Sequence, residues 1–233
     1  MIRGAVFDLD YTLYDRDASD RAAMARFCRA FPDAMSPGVT VQAAQDAFVE
    51  ADHLHNYDGW KKMCEYLTDR GIFARMPDPQ QVCGYWQGQI AENGVKYPFV
   101  EPMLAQLKRR GMKVGLITNG RLEYQSAKVR GLGLWDEFDQ VLIGSDPATA
   151  KPHTDLFVEM ARRLEVPCGE LIYAGDHPIN DVDASRRAGY TAVWIRTLHT
   201  WRYQEIPRTP WEADTVEDIP RIIDQINQRE ELI

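Results

Sequence analysis

Short apolar runs that end in polar, turn-forming residues recur along the chain. They lie at residues 2–9, 112–117, 141–143, 171–174 and 192–195. Between them, apolar residues recur at intervals of three and four, which is the pattern of amphipathic helices. The clearest examples are Met103, Leu104 and Leu107, and then Leu156, Phe157, Met160, Ala161 and Leu164. Buried strands that alternate with helices predict an α/β fold with a parallel sheet covered on both faces.

The segment from residue 16 to residue 95 breaks this alternation, because its apolar residues recur only at helical spacing. Turn-forming sequences separate its helical runs at residues 31–33, 36–38 and 76–79. We therefore predict an all-helical domain at 16–95, inserted after the first strand, and a main domain formed by residues 1–15 and 96–233. The charge-rich stretch 216–233 predicts one amphipathic helix.

Composition and charge narrow the class of protein. The chain has 45% hydrophobic and 27% charged residues, as soluble globular proteins do. Its net charge of −8 argues against a broad nucleic-acid-binding surface, which needs clustered Lys and Arg. A small anionic substrate in a locally positive pocket is still compatible with that charge. We expect neither a nucleic-acid partner nor a membrane partner, since no run reaches the roughly 18 apolar residues of a membrane span.

The cysteines indicate a reducing compartment. The chain has no CxxC pair and no secretory signal, so we expect free thiols and a cytoplasmic protein. The four cysteines are Cys28, Cys64, Cys83 and Cys168.

Polar side chains follow the predicted strands. They are Asp8 and Asp10 at the end of the first strand, Thr118 and Asn119 after the second, Lys151 after the third, and Asp176 and Asp181 after the fourth. Ligands bind beyond the carboxyl ends of the strands in an open parallel sheet, so these residues are expected to form one site. Four carboxylates in one site would repel each other, and a divalent cation relieves that repulsion. Oxygen ligands favour Mg²⁺ over Zn²⁺, which prefers His and Cys.

Four motifs, in this order, resemble those of the haloacid dehalogenase-like superfamily over nearly the whole chain. They are DxDxT at residues 8–12, a strand-ending Thr at Thr118-Asn119-Gly120, a Lys before Pro at Lys151-Pro152, and a GDxxxND-like motif at residues 175–181. The resemblance implies a Rossmann-like catalytic domain with a helical cap of type I inserted after the first strand. Such a cap closes over the active site and contacts the leaving group.

The resemblance also implies roles for these residues. Asp8 would be the nucleophile that forms an aspartyl-phosphate, and Asp10 would be the general acid and base. The Asp8 carboxylate, the Asp10 main-chain carbonyl and Asp176 would hold Mg²⁺. The phosphoryl oxygens would bind to Thr118, the Asn119 main chain and Lys151. The supporting residues would be Thr12, Gly120, Asn180 and Asp181.

The second acid of the first motif, Asp10, favours phosphoryl transfer over dehalogenation. A halide leaves without a proton, and the related dehalogenases lack an acid two residues after the nucleophile. Related phosphosugar mutases commonly have Gly where Tyr11 stands, and their fourth motif differs from residues 175–181. Our leading hypothesis is a Mg²⁺-dependent phosphohydrolase acting on the phosphomonoester of a small metabolite. The alternatives are a 2-haloacid dehalogenase, a phosphosugar mutase, or a binding protein with little turnover.

Several candidate residues also have a purely structural explanation, although Asp176 is less easily explained by capping alone. Asp10 suits a turn, Lys151 a solvated surface, and Asp181 a helix cap near Asn180. Thr118 and Asn119 suit the start of a loop. Residues 52–60 form the most polar and aromatic part of the insert and are candidates to line the pocket above the nucleophile. Their two histidines, His53 and His55, are a weak metal-binding signal without further ligands and are better explained as solvated or packed side chains.

Overall fold

The computed structural model describes residues 1–55 and 58–230. The chain forms two compact units, one made of Met1–Asp15 with Lys96–Ile233 and the other of Arg16–Val95. Asn56 and Tyr57 of the polar stretch 52–60, and residues 231–233 of the expected C-terminal helix, lie outside the described residues. None of the described helices has both the length and the apolar character that crossing a membrane requires.

The unit Arg16–Val95 is helical. Its α-helices are α1 (Arg16–Ala30), α2 (Val41–His55), α3 (Trp60–Asp69) and α4 (Pro79–Asn93). Phe48 and Trp86 stack in the core with ring centroids 3.8 Å apart. The Trp86 indole donates a hydrogen bond of 2.8 Å to Asp20, whose side chain is also buried. The buried Asp20 carboxylate is therefore hydrogen-bonded to one ring of the aromatic stack in this core.

The two histidines of the stretch 52–60 have carboxylate partners within this unit. His53 Nε2 lies 2.8 Å from Asp17 Oδ1, and His55 Nδ1 lies 2.9 Å from Asp58 Oδ2. The hydrogen bond to Asp17 raises the pKa of His53 above its ordinary value.

The other unit contains a parallel sheet of six strands among the described residues. They are β1 (Gly4–Phe7), β2 (Lys113–Asn119), β3 (Gln140–Gly144), β4 (Leu171–Gly175), β5 (Thr191–Ile195) and β6 (Glu212–Ala213), in the spatial order β3-β2-β1-β4-β5-β6. The predicted α/β fold is confirmed. The last strand is missing from the prediction because two residues are too few to show a pattern. Phe7 at the end of β1 pairs with Leu116 on one side and Ala174 on the other.

Five helices of this unit are described. They are α5 (Val100–Arg109), α6 (Leu122–Gly131), α7 (Asp155–Leu164), α8 (Ala184–Arg187), which follows a π-helical turn at Pro178–Asp183, and α9 (Ile219–Glu230). Phe157 and Met160 of α7 belong to a core cluster with Val6 and Ile117 of the sheet. The expected helix from residue 216 begins instead with a 3₁₀ turn at Val216–Asp218, and α9 follows it.

Asp20 makes the stability of the helical unit depend on pH. Burial raises its pKa to about 7, the Asp52 carboxylate adds to the rise, and Arg16 opposes it. Because an unfolded Asp titrates near pH 4, the folded chain holds an extra proton between about pH 4 and 7. That proton stabilises the fold below pH 4, and its contribution is lost as the pH rises to 7.

We therefore expect Asp20→Asn to flatten the fall in melting temperature between pH 5 and pH 8, measured by calorimetry. At pH 8 the variant should melt a few degrees above the wild-type protein. Asp33→Asn, at an exposed position, is the control and should follow the wild-type curve. If Asp20→Asn also followed that curve, Asp20 would be ionised in the folded protein throughout this range.

Candidate active site

The first two carboxylates lie on a tight turn that begins where β1 ends. The Asp8 main-chain N–H donates 2.9 Å to the Ala174 carbonyl, which extends the sheet pairing to the residue that carries the carboxylate. Tyr11 has a φ of 57°, in the left-handed region that few non-glycine residues adopt. Leu13 and Tyr14 both donate back to the Leu9 carbonyl at 2.9 Å. This closed turn fixes the backbone that carries Asp8 and Asp10.

Thr118 and Asn119 are the last two residues of β2 rather than the start of a loop. Thr118 is buried. The Asn119 amide donates 2.7 Å to the Lys151 carbonyl and accepts 3.0 Å from the Lys151 N–H. A Cβ on Gly144 would lie 2.5 Å from Asn119 Oδ1, so only glycine allows this close approach. Asn119 thereby joins the end of β2 to the loop that carries Lys151.

Lys151 is a buried cation and not a surface charge, with 6% of the residue exposed. Its ammonium donates to Asp8 Oδ1 at 2.6 Å, Asp181 Oδ1 at 2.7 Å and the Tyr173 hydroxyl at 2.9 Å. Burial disfavours the charged ammonium, but Asp181 and Asp8 together outweigh burial and hold the pKa of Lys151 well above its ordinary value. Lys151 is therefore a fixed positive charge beside Asp8.

Asp181 does more than cap a helix. His177 occupies the N-cap position of the turn Pro178–Asp183, and its Nδ1 accepts from the N–H groups of Ile179 and Asn180 at 3.2 Å each. Asp181 Oδ2 accepts 2.9 Å from the His177 N–H, while Oδ1 accepts from Lys151. A Cβ on Gly175 would lie 2.5 Å from Asp181 Cγ. The missing Cβ is what lets Asp181 lie against the end of β4.

Three carboxylates form a group that fits a metal ion. Oxygen atoms of Asp8, Asp176 and Asp181 all lie within 4.8 Å of one another, and all three residues are buried. The Trp194 indole donates 2.9 Å to the Asp176 carbonyl, which fixes that backbone. Among the described residues, Asp176 Oδ2 is buried and has no hydrogen-bond partner, although His199 Nε2 lies 3.7 Å away. An oxygen-only donor set with an unsatisfied carboxylate suits a hard divalent cation.

The charge balance of this group supports the same assignment. Burial raises the pKa of Asp8 to about 7, with Asp181 and Asp10 adding to the rise and Lys151 opposing it. Burial and then the charges of Asp181 and Asp8 raise the pKa of Asp176 well above its ordinary value. One ammonium does not neutralise these carboxylates, so they can all be ionised only if further positive charge is present.

Three expected residues remain, and the structure describes each of them. Thr12 is buried, Gly120 has a φ of 139°, and Asn180 is half-buried in the turn Pro178–Asp183. A Cβ on Gly120 would lie 2.9 Å from Gln125 Cγ. Glycine is therefore needed at this position both for its backbone and for its close neighbour.

Three further polar residues were not among the sequence candidates. Tyr173 is fully buried on β4, and its hydroxyl also donates to the Ile117 carbonyl at 3.2 Å. Gln125 and Lys128 project from α6 and contact Asp10. The sequence offers one indication of this pair: Gln125 and Lys128 are three residues apart, on the helical face that also carries the buried Val129. Tyr173 gave no signal, because an aromatic residue is ordinary in a buried strand.

The chain matches the family model of haloacid dehalogenase-like hydrolases over residues 5–195. It is 31% identical over 231 residues to the glyceraldehyde 3-phosphate phosphatase of Methanopyrus kandleri, covering 94% of this chain and 92% of that protein. It is 28% identical to the phosphoglycolate phosphatase of Escherichia coli K12, covering 83% and 81% of the two chains. The chain belongs to the haloacid dehalogenase-like hydrolases, and these relatives place it among the phosphatases of that family.

The fold is also shared with solved structures of this family. The magnesium-bound HAD-hydrolase YfnB from Bacillus subtilis superposes with a TM-score of 0.76 at 17% sequence identity, covering 95% of this chain and 98% of that chain. At this level of identity the likeness shows a common fold.

The close approach at Gly175 leads to a test of stability. We expect Gly175→Ala to lower the free energy of unfolding by about 1–3 kcal/mol, because the new methyl group overlaps Asp181. Urea denaturation measures this change. Gly169→Ala is the matched control, since nothing lies within 4 Å of its added Cβ, and it should leave the stability unchanged or slightly increased. Equal stability of the two variants would contradict the role given to Gly175.

Proposed function

We propose that this protein is a Mg²⁺-dependent phosphohydrolase that cleaves phosphomonoesters of small metabolites through an aspartyl-phosphate on Asp8. The observation that carries the proposal is the buried group in which Asp8 touches Lys151 and lies within 4.8 Å of Asp176 and Asp181. Asp10 follows two residues later on the same turn. A nucleophile, a cation, metal-binding carboxylates and a second acid are the parts that phosphoryl transfer needs.

The residues suited to hold Mg²⁺ are Asp8 and Asp176, with the Asp10 main-chain carbonyl as a third ligand. When bound, Mg²⁺ supplies positive charge that offsets the carboxylates and the phosphate. Asp181 lies in the same group, but its two carboxylate oxygens already accept from Lys151 and from the His177 N–H, so we assign it to positioning that ammonium.

In the first chemical step, an Asp8 carboxylate oxygen forms a bond to phosphorus while the bond from phosphorus to the substrate oxygen breaks. Asp10 gives its proton to the departing alkoxide. In the second step, Asp10 removes a proton from water, whose oxygen forms a bond to phosphorus as the bond to Asp8 breaks. Lys151 and Thr118 bind the phosphoryl oxygens throughout and stabilise their charge. Inorganic phosphate leaves, and both aspartates are regenerated.

The relatives named above are phosphatases of glyceraldehyde 3-phosphate and phosphoglycolate, and they support the proposed substrate class. Both compounds are short phosphomonoesters, and we propose that this chain acts on the same class. We assign substrate choice to the helical unit Arg16–Val95, acting as a cap that excludes water from the site. The free cysteines support a reducing, cytoplasmic setting.

Release of inorganic phosphate from p-nitrophenyl phosphate and from a panel of short phosphomonoesters tests the proposal. The substitution Asp8→Asn should lower kcat by at least about 10³-fold, because it removes the proposed nucleophile. A chelator should abolish phosphate release, and added Mg²⁺ should restore it. The control Asp136→Asn, at an exposed position, should keep full activity.

Several outcomes would contradict the proposal. Full activity of Asp8→Asn would remove Asp8 from the chemistry. Halide release from a 2-haloacid without Mg²⁺ would identify a dehalogenase instead. A panel that yields no phosphate, while one of its compounds raises the melting temperature, would point to a binding protein.

A further inference from the structure

Helix α6 carries two polar side chains on its buried face. The Lys128 side chain is only 3% exposed, and Gln125 is also buried. Burying an ammonium costs free energy unless it is paired and hydrogen-bonded. The partners of these two residues therefore decide what the pair does.

Lys128 is held on several sides. Its ammonium donates to both carboxylate oxygens of Asp10, at 2.8 and 2.9 Å. It also lies over the rings of Tyr14 and Tyr124, 4.8 and 5.2 Å from their centroids. Contact with both oxygens fixes the plane of the Asp10 carboxylate, and the two aromatic faces keep the ammonium from moving away.

Gln125 connects Asp10 to the end of β2. Its Nε2 donates 2.7 Å to the Asn119 carbonyl and 3.0 Å to the Thr118 hydroxyl, and it lies 3.4 Å from Asp10 Oδ2. The carbonyl and the carboxylate only accept, which sets the orientation of the amide. The second acid and the phosphate-binding end of β2 thus share one hydrogen-bond donor.

Stability alone does not explain a buried lysine here. Replacing a buried ion pair by apolar groups is often neutral or stabilising, so such a pair is weak support for a folding role. A general acid, in contrast, loses much of its effect when it is misplaced by about 1 Å. The bidentate contact and the shared amide restrict the Asp10 carboxylate in the way that this role requires.

We propose that Lys128 and Gln125 are positioning residues that hold the Asp10 carboxylate in the orientation for proton transfer, beside the phosphate-binding end of β2. The inference rests on the proposed function, in which Asp10 is the general acid and base. It adds two residues of α6 that act on the reaction through Asp10.

The test measures the rate of Asp8 phosphorylation with two substrates that differ in their leaving group. Single-turnover conditions are used, so that hydrolysis of the aspartyl-phosphate does not mask this first step. Glycerol phosphate releases a basic alkoxide that needs a proton, whereas p-nitrophenyl phosphate releases a stable anion that does not. For Lys128→Met we expect the phosphorylation rate with glycerol phosphate to fall about 10²-fold. The rate with p-nitrophenyl phosphate should fall less than about 10-fold, and KM for both should stay within about threefold.

The matched control is Lys108→Met, which removes a lysine that pairs with Glu137 on the surface. It should behave as the wild-type enzyme with both substrates. Equal losses with the two leaving groups, a change in KM alone, or no change in Lys128→Met would each overturn the inference.

A double-mutant cycle tests whether Lys128 acts through Asp10. In the Asp10→Asn background, Lys128→Met should change the rate by less than about threefold, because the residue it positions no longer transfers protons. A full 10²-fold loss in that background would show that Lys128 acts elsewhere. If circular dichroism shows Lys128→Met to be unfolded, the same cycle with Gln125→Met decides the question by the same criteria.

The wild-type enzyme separates the two proposals. If it releases no phosphate from any substrate, the proposed function fails. If it is active and Asp8→Asn is not, a uniform loss across leaving groups in the α6 variants rejects only the positioning role.

Discussion

The buried ion pair between Lys151 and its two carboxylates is the interaction on which the rest of the site depends. Asp8 and Asp181 lie where water scarcely reaches, and each needs a partner to remain charged. Removing one partner from such a pair costs about 3–5 kcal/mol, because an uncompensated charge stays behind. The Lys151 backbone is in turn held by the Asn119 amide. The cation that faces Asp8 is therefore held in place by the end of β2, through Asn119.

The close approach of polar side chains to the backbone is the second constraint, and it explains why two of the strands end in glycine. Gly175 leaves room for Asp181, and Gly144 leaves room for Asn119. Each glycine ends a strand beside the residue that it accommodates. A parallel sheet brings strand ends to one edge, but only the absence of a Cβ lets polar side chains lie this close to the backbone. Sheet geometry and glycine placement together set the dimensions of the site.

The sequence predicts the α/β fold because its apolar runs and helical spacings are local patterns. It also places Asp8, Lys151 and Asp176 near one another, because strand ends converge in this topology. It does not predict Lys128, whose partner Asp10 lies 118 positions away in the chain. No local pattern reports such a contact, and a lysine on a helix is by default an exposed residue. The double use of Asp181, which serves both the His177 N–H and Lys151, is hidden for the same reason.

The position of β1 in the sheet has a consequence for how the protein is made. Residues 4–7 pair with strands that begin at Lys113 and Leu171. Both hydrogen-bonding partners of β1 therefore lie more than 100 residues further along the chain. During synthesis this apolar strand leaves the ribosome before either neighbour, and its second neighbour follows only some 170 residues later. Non-local pairing of this kind slows folding and leaves an unpaired strand exposed to other chains. The core contacts of segment 16–95 among Asp20, Phe48 and Trp86 involve no residue beyond 95, so they do not depend on the strands that pair with β1.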